Sequence, residues 1–257
     1  EVVTPQVFDT GLFKTSGHYE MYREGMYFAY GAAPVDVLRE AFGKPHAHDH
    51  AHGDGHAHAA DDDAETREFG VKPMNCPGHC ILFANSGLKS HRDLPLRIAD
   101  FGRLHRFEKG GVTHGLARVR TFSQDDAHIF CVEADVQKEI RGFFDLLDDV
   151  YNAFEFKNVE IRLATRPEKR AGTDAQWDAA EGALEKALKD AGRAFTLAPG
   201  DGAFYGPKLE FHVKDALDRS WQLGTIQVDY VLPQRFELTY VGSDGQKHTP
   251  VMLHRAI

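Results

Sequence analysis

Residues 94–131, LPLRIADFGRLHRFEKGGVTHGLARVRTFSQDDAHIFC, decide the fold. Two β-rich runs, LRIADFGRLHRF and LARVRTFSQDDAHIF, flank a loop carrying Gly110, Gly111 and Gly115, which predicts a long-looped hairpin. Working outward, FGVKPM, VEIRLAT, PKLEFHVKD, WQLGTIQVDYVL and RFELTYVG have the same character between turn signals. Three segments break the pattern. From Glu133 to about Phe154, apolar residues recur at Val136, Ile140, Phe143, Leu147, Val150 and Phe154, the spacing of one helix face. Residues 174–191 read as a second helix, with Thr173 as N-cap and Gly192 just past its end. A shorter helix is expected over His79–Asn85, after Pro77-Gly78. Hairpins dominate and the helices sit between strand groups, so the class is α+β, an antiparallel sheet flanked by helices.

Composition narrows the function. The 257 residues hold 30 Lys+Arg against 39 Asp+Glu, a net charge of −9, which argues against binding nucleic acid by bulk charge. At 42% hydrophobic the chain can bury a core, and no apolar run reaches the roughly 20 residues of a membrane helix. The opening EVVTPQVFDT has neither the basic nor the apolar region of a secretory signal, and three Cys make no disulfide framework, so a cytoplasmic location is expected. There is no GxGxxG and no GxxxxGK[ST]. Residues 44–68 stand apart: six His among Ala, Gly and Asp, with almost no apolar anchor. They are expected to form a mobile insertion, either a solvated spacer or a weak Zn or Ni buffer. The chain lacks an initiator Met and closes on apolar PVMLHRAI, as expected of a core cut from a longer protein or of a short paralogue.

Residue chemistry points to three places. Arg106, Arg118 and Arg120 are expected on the two hairpin strands, with Lys109 in the loop and Glu108 on the face of Arg106. Guanidinium forks on strands suit phosphate oxygens, and an adjacent carboxylate suits a base amine. The same arrangement suits a cross-strand ion-pair ladder. Cys76, His128 and His254 each interrupt or follow an apolar run. One thiolate and two imidazoles suit zinc with a fourth position open; each is equally suited to a packed core. His79 and Cys80 lie near Cys76, where a helix start with an inward Cys is the simpler reading. In GAFYGPKLEF, Tyr205 and Lys208 flank a Gly-Pro turn, and Lys208 serves either phosphate or the surface.

Together, KPMNCPGH, residues 94–131, TRPEKRAG, GAFYGPKLEF, GTIQVDYVLPQRFELTY and PVMLHRAI closely resemble the catalytic core of the threonyl-tRNA synthetases, a branch of the class II aminoacyl-tRNA synthetases. HRFE with a distal Arg resembles motif 2, Pro5 resembles the end of motif 1, and the MNCPGH, QDDAH and VMLHRA trio resembles the threonyl branch in particular.

The resemblance implies one catalytic core over residues 1–257, with the His-rich insertion inside it, and a six- or seven-stranded antiparallel sheet. It implies L-threonine, ATP with Mg²⁺, tRNA(Thr), a homodimer and one Zn²⁺ on Cys76, His128 and His254. Arg106, Lys208 and His18 are then the catalytic positions, His18 beside the terminal ribose of the tRNA or simply a partly buried polar residue. Arg106, Glu108, Arg118, Gln222 and Thr225 would take ATP. Met74, Gln124, Asp126, Tyr205 and Gln227 would take threonine. Leu223 stands where many members have Cys, and the adenine-stacking arginine of motif 3 would lie past Ile257. Weak or absent charging activity is therefore expected of these residues alone. The alternative is a synthetase-like module that binds threonine, tRNA or zinc without catalysis.

Overall fold

The computed structural model describes residues 1–31 and 67–257. All of the His-rich insertion except Arg67 and Glu68 lies outside the described residues, and those two belong to a strand.

In chain order the elements are β1 (Val7–Asp9), α1 (Thr10–Ser16), α2 (His18–Met21), β2 (Tyr27–Gly31), β3 (Arg67–Val71), α3 (Cys76–Asn85), β4 (Leu96–Asp100), β5 (Leu104–His105), β6 (Thr121–Phe122) and β7 (Asp126–Cys131). Then come α4 (Val136–Ala153), β8 (Glu160–Ala164), α5 (Asp174–Asp190), β9 (Thr196–Ala198), β10 (Lys208–Lys214), β11 (Ser220–Asp229), α6 (Leu232–Arg235), β12 (Tyr240–Val241), β13 (Lys247–His248) and β14 (Val251–Ala256).

Seven strands form the main sheet in the order β4-β7-β14-β11-β10-β8-β9. All pairs are antiparallel except the edge pair β8–β9, so the expected sheet carries one parallel edge strand. Strand alternation divides the two faces. Ile129, Ile226, Val228 and Leu253 point to one face, where they meet Ile140, Phe143 and Leu147 of α4 and Leu184 and Leu188 of α5. Each fully buried aliphatic or aromatic side chain there contributes about 1.5–3 kcal/mol. The other face carries Asp126, His128, His254, Thr225 and Gln227.

α5 starts as the sequence predicts: Thr173 and Gln176 form a reciprocal capping box. α4 keeps the predicted face but ends at Ala153, leaving Phe154 69% exposed. α3 begins at Cys76, three residues before its expected start, because Pro77 in the first turn gives up an N–H that has no helical partner anyway.

The hairpin is shorter than expected. The run 96–107 breaks after β4, where Gly102 N–H donates to the Asp100 carboxylate at 2.7 Å. β5 and β6 pair over two residues only, plus one further bond from Arg106 N–H to Arg120 C=O at 2.9 Å. Arg106, Arg118 and Arg120 thus stand in the loop beyond the paired residues, not on strands. The run RFELTYVG is also mostly not a strand. The buried Asp229 carboxylate accepts from Val231 and Leu232 N–H at 2.6 and 2.9 Å and turns the chain into α6.

Candidate active site and metal centre

One cavity of about 350 Å³ opens on the polar face of the sheet. Its wall gathers Met74, Cys76, Arg106, Gln124, Asp126, His128, Tyr205, Lys208, Gln222, Thr225, Gln227 and His254 from segments far apart in sequence. Period two accounts for Asp126 with His128 on β7 and for Thr225 with Gln227 on β11. Gln222 breaks that parity. A bulge on β11 pairs Phe211 with Gly224 and His212 with Gln222, leaves Leu223 as the extra residue, and returns Gln222 to the cavity side. Gln222 Nε2 then donates to Thr225 Oγ1 at 2.7 Å.

His128 and His254 are register partners across β7 and β14. With Cys76 at the start of α3 they bring one donor atom each to within 4.8 Å of one another, all three buried. The donor set fits zinc: one sulfur and two imidazole nitrogens, each imidazole with its other nitrogen engaged. His254 Nε2 lies 2.9 Å from Asp229 Oδ2, and His128 Nδ1 lies 2.8 Å from His79 Nδ1. Burial pushes the Cys76 thiol well up and the His128 imidazole well down, so that thiol and that imidazole sit uncharged until a cation takes the thiol proton's place.

Around this cluster the polar groups are held in place. Asn75 Nδ2 donates to Asp126 Oδ2 at 2.8 Å, and burial pushes the Asp126 carboxyl up to about 6. Tyr205 O–H donates to Gln227 Oε1 at 3.1 Å. Lys208 Nζ pairs with Glu210 at 2.6 Å. Arg106 Nε donates to Pro73 C=O at 3.3 Å, and its guanidinium lies over the Phe122 ring.

Three expected positions do not reach the cavity wall. Glu108 and Arg118 pair with each other at 3.1 Å in the loop after β5. His18 is fully rather than partly buried, its Nδ1 2.8 Å from Ser16 Oγ and its Nε2 3.8 Å from Cys76 Sγ. Burial, helped by His254, Arg235 and Arg106, lowers it to about 3. Asn75, Asp229 and Arg255 escaped the sequence reading, which named His79 only as a neighbour of Cys76. Alternation from Gln227 flags Asp229, and helical spacing from Cys76 flags His79; Asn75 and Arg255 carry no pattern of their own.

The tRNA synthetase class II core domain family (G, H, P, S and T) matches residues 58–257. This chain belongs to that family. The class II core is 51% identical over 257 residues to the threonine–tRNA ligase of Bdellovibrio bacteriovorus and 49% over 262 residues to that of Parvibaculum lavamentivorans. All of the chain is matched in both, against 34% and 36% of those proteins, so the chain spans about a third of their length. Among solved structures, the core resembles the RNA binding domain of threonyl-tRNA synthetase from Cryptosporidium parvum Iowa II at TM-score 0.82 and 43% identity. That match covers all of this chain and 56% of the other. A threonyl-tRNA synthetase from Aeropyrum pernix follows at TM-score 0.73 and 33% identity, covering 99% and 52%. A prolyl-tRNA synthetase from Giardia lamblia, 14% identical at TM-score 0.63 over 100% of this chain and 40% of its own, shares the fold. The α+β class and the resemblance to the threonyl branch read from the sequence both hold. No helix among the described residues is long and apolar enough to cross a membrane.

Proposed function

We propose that this core activates L-threonine with ATP and passes it to tRNA(Thr). The observation that carries the reading is the Cys76–His128–His254 donor cluster opening into the same cavity as Arg106, Asp126 and Lys208. In the first step a threonine carboxylate oxygen attacks the α-phosphorus, and the bond to pyrophosphate breaks. Arg106, whose Nη groups have no protein hydrogen-bond partner among the described residues, bears on the α-phosphate as negative charge builds there. Lys208 exchanges Glu210 for phosphate oxygens. Glu108 takes the adenine amine and Arg118 a further phosphate once ATP separates their ion pair. Gln222 and Thr225 line the adenylate. Gln124, Asp126, Tyr205 and Gln227 hold threonine, with Met74 packed beside it.

Zn²⁺ on Cys76, His128 and His254 would supply a Lewis-acid position for the amino and hydroxyl groups of threonine together. A site built for a hydroxyl rejects its absence far more strongly than an apolar pocket rejects an isostere, so valine is excluded and serine is not. In the second step a terminal ribose hydroxyl of tRNA attacks the threonyl carbonyl and AMP leaves, with neutral His18 as the neighbouring imidazole. Mg²⁺ accompanies ATP, and the active form is a homodimer.

The test is binding of a non-hydrolysable threonyl-adenylate analogue to zinc-loaded protein. Binding that is lost in Arg106→Ala supports the reading. Absence of binding by the parent chain, or equal binding of threonyl and valyl analogues, contradicts it.

A further inference from the structure

Behind the metal-ligand cluster lies a second layer that the activation chemistry does not use. His79 is wholly buried one helical turn after Cys76. Its Nδ1 lies 2.8 Å from His128 Nδ1, with the rings in a T-shaped arrangement at 4.8 Å. Its Nε2 has no hydrogen-bond partner among the described residues and lies 3.9 Å from Asp100 Oδ2. Asp100 is itself fixed: its carboxylate accepts from Thr4 N–H, Thr4 O–H, Gly102 N–H and the buried Lys72 ammonium.

Two facing imidazole nitrogens form a hydrogen bond only when one carries a proton and the other does not. Asp100 decides which. An ionised carboxylate near His79 Nε2 favours the tautomer with the proton on Nε2, which leaves His79 Nδ1 bare. His128 must then donate from Nδ1, and its Nε2 is left with a free lone pair. The arrangement at His254 is complementary: its Nε2–H donates to Asp229 Oδ2, which leaves Nδ1 bare.

We infer that His79 is a positioning residue: it transmits the Asp100 charge to His128 and locks that ligand in the tautomer and ring orientation that present a bare nitrogen beside Cys76 and His254. α3 thereby supplies both a ligand, Cys76, and the support of a ligand from β7. This inference rests on the metal reading of the cluster, and outer partners of this kind change metal affinity by roughly 10- to 100-fold.

The first test needs no metal. Nitrogen-15 NMR of the imidazoles in metal-free protein should show His128 protonated on Nδ1 and His79 on Nε2; the opposite tautomers would overturn the inference. The second test is Zn²⁺ affinity by chelator competition. His79→Asn keeps an acceptor where Nδ1 stood and should bind within about threefold of the parent, whereas His79→Leu should bind roughly 10- to 100-fold more weakly. Equal affinity of His79→Leu and parent overturns this inference alone. A parent that binds no Zn²⁺ overturns the metal reading and this inference with it, while the tautomer result still reports on the relay itself.

Discussion

Gln222 hydrogen-bonds to Thr225 on the same face of one strand, although they stand three positions apart and plain alternation would put them on opposite faces. The bulge at Leu223 makes this possible, and the glycine beside it makes the bulge possible. A Cβ at Gly224 would stand 2.8 Å from Tyr151 Oη and 2.9 Å from a Leu147 methyl, inside the packing of α4.

Gly224→Ala is therefore expected to destabilise the core by about 1–3 kcal/mol, a fall in Tm of roughly 3–10 °C. Tyr151 Oη is buried without a partner among the described residues, and burial pushes the phenol up to about 12. Tyr151→Phe should cost under about 1 kcal/mol and should recover part of the Gly224→Ala loss in the double variant. Thermal melts of the four proteins check this, and strict additivity would show that the Tyr151 contact is not the cause.

Lys72 and Asp100 are both wholly buried and pair at 3.3 Å. Lys72→Met leaves the carboxylate without its cation and should cost about 3–5 kcal/mol in denaturant unfolding. Burial raises the Asp100 carboxyl, but the Thr4 hydroxyl, the Gly102 and Thr4 amides and Lys72 outweigh it and hold it below its ordinary value of 3.8. Ionised Asp100 thus contributes stability at neutral pH that is lost as pH falls through and below that value. The acid limb of a stability–pH profile should flatten in Asp100→Asn; an unchanged limb would remove Asp100 from the account.

Asp126 is a carboxylate of the cavity wall, two residues before His128 on β7, and Asn75 aligns it. Asp126→Ala should weaken threonyl-adenylate analogue binding roughly 10- to 100-fold, the worth of one or two hydrogen bonds to a charged group. Asn75→Ala should weaken it less, since the carboxylate remains. Competition titration measures both.

The proposed zinc site sets an expected order of amino acid affinities. In zinc-loaded protein the seryl-adenylate analogue should bind within about tenfold of the threonyl form, and the valyl analogue at least about a hundredfold more weakly. Cys76→Ser or His128→Ala should bring the threonyl and valyl affinities together.

Much of this was legible before any coordinates. The amphipathic run from Val136 and the Thr173 capping box specify two helices by themselves, because a 3.6-residue period and a cap are local properties. The side chains of the polar face, Asp126, His128, Gln227 and His254, came together through the family resemblance, and the alternation that sets Asp126 beside His128 on one face went unused. The loop after β5 was not legible: LARVRTF has strand composition, yet its arginines pair with Glu108 and leave only two residues to pair as strand. Nor was RFELTYVG, where a carboxylate six or more residues upstream turns the chain. The support of His128 by His79 and Asp100 depends on a contact across β7 that no spacing encodes.

The most direct measurement is anomalous scattering at the zinc edge from crystals grown with Zn²⁺ and soaked with threonine, using the chain with and without residues 46–58. One strong peak is expected in both, within bonding distance of Cys76, His128 and His254 and beside the threonine amino and hydroxyl groups. A peak confined to the His-rich segment, or none between those three side chains, would contradict it.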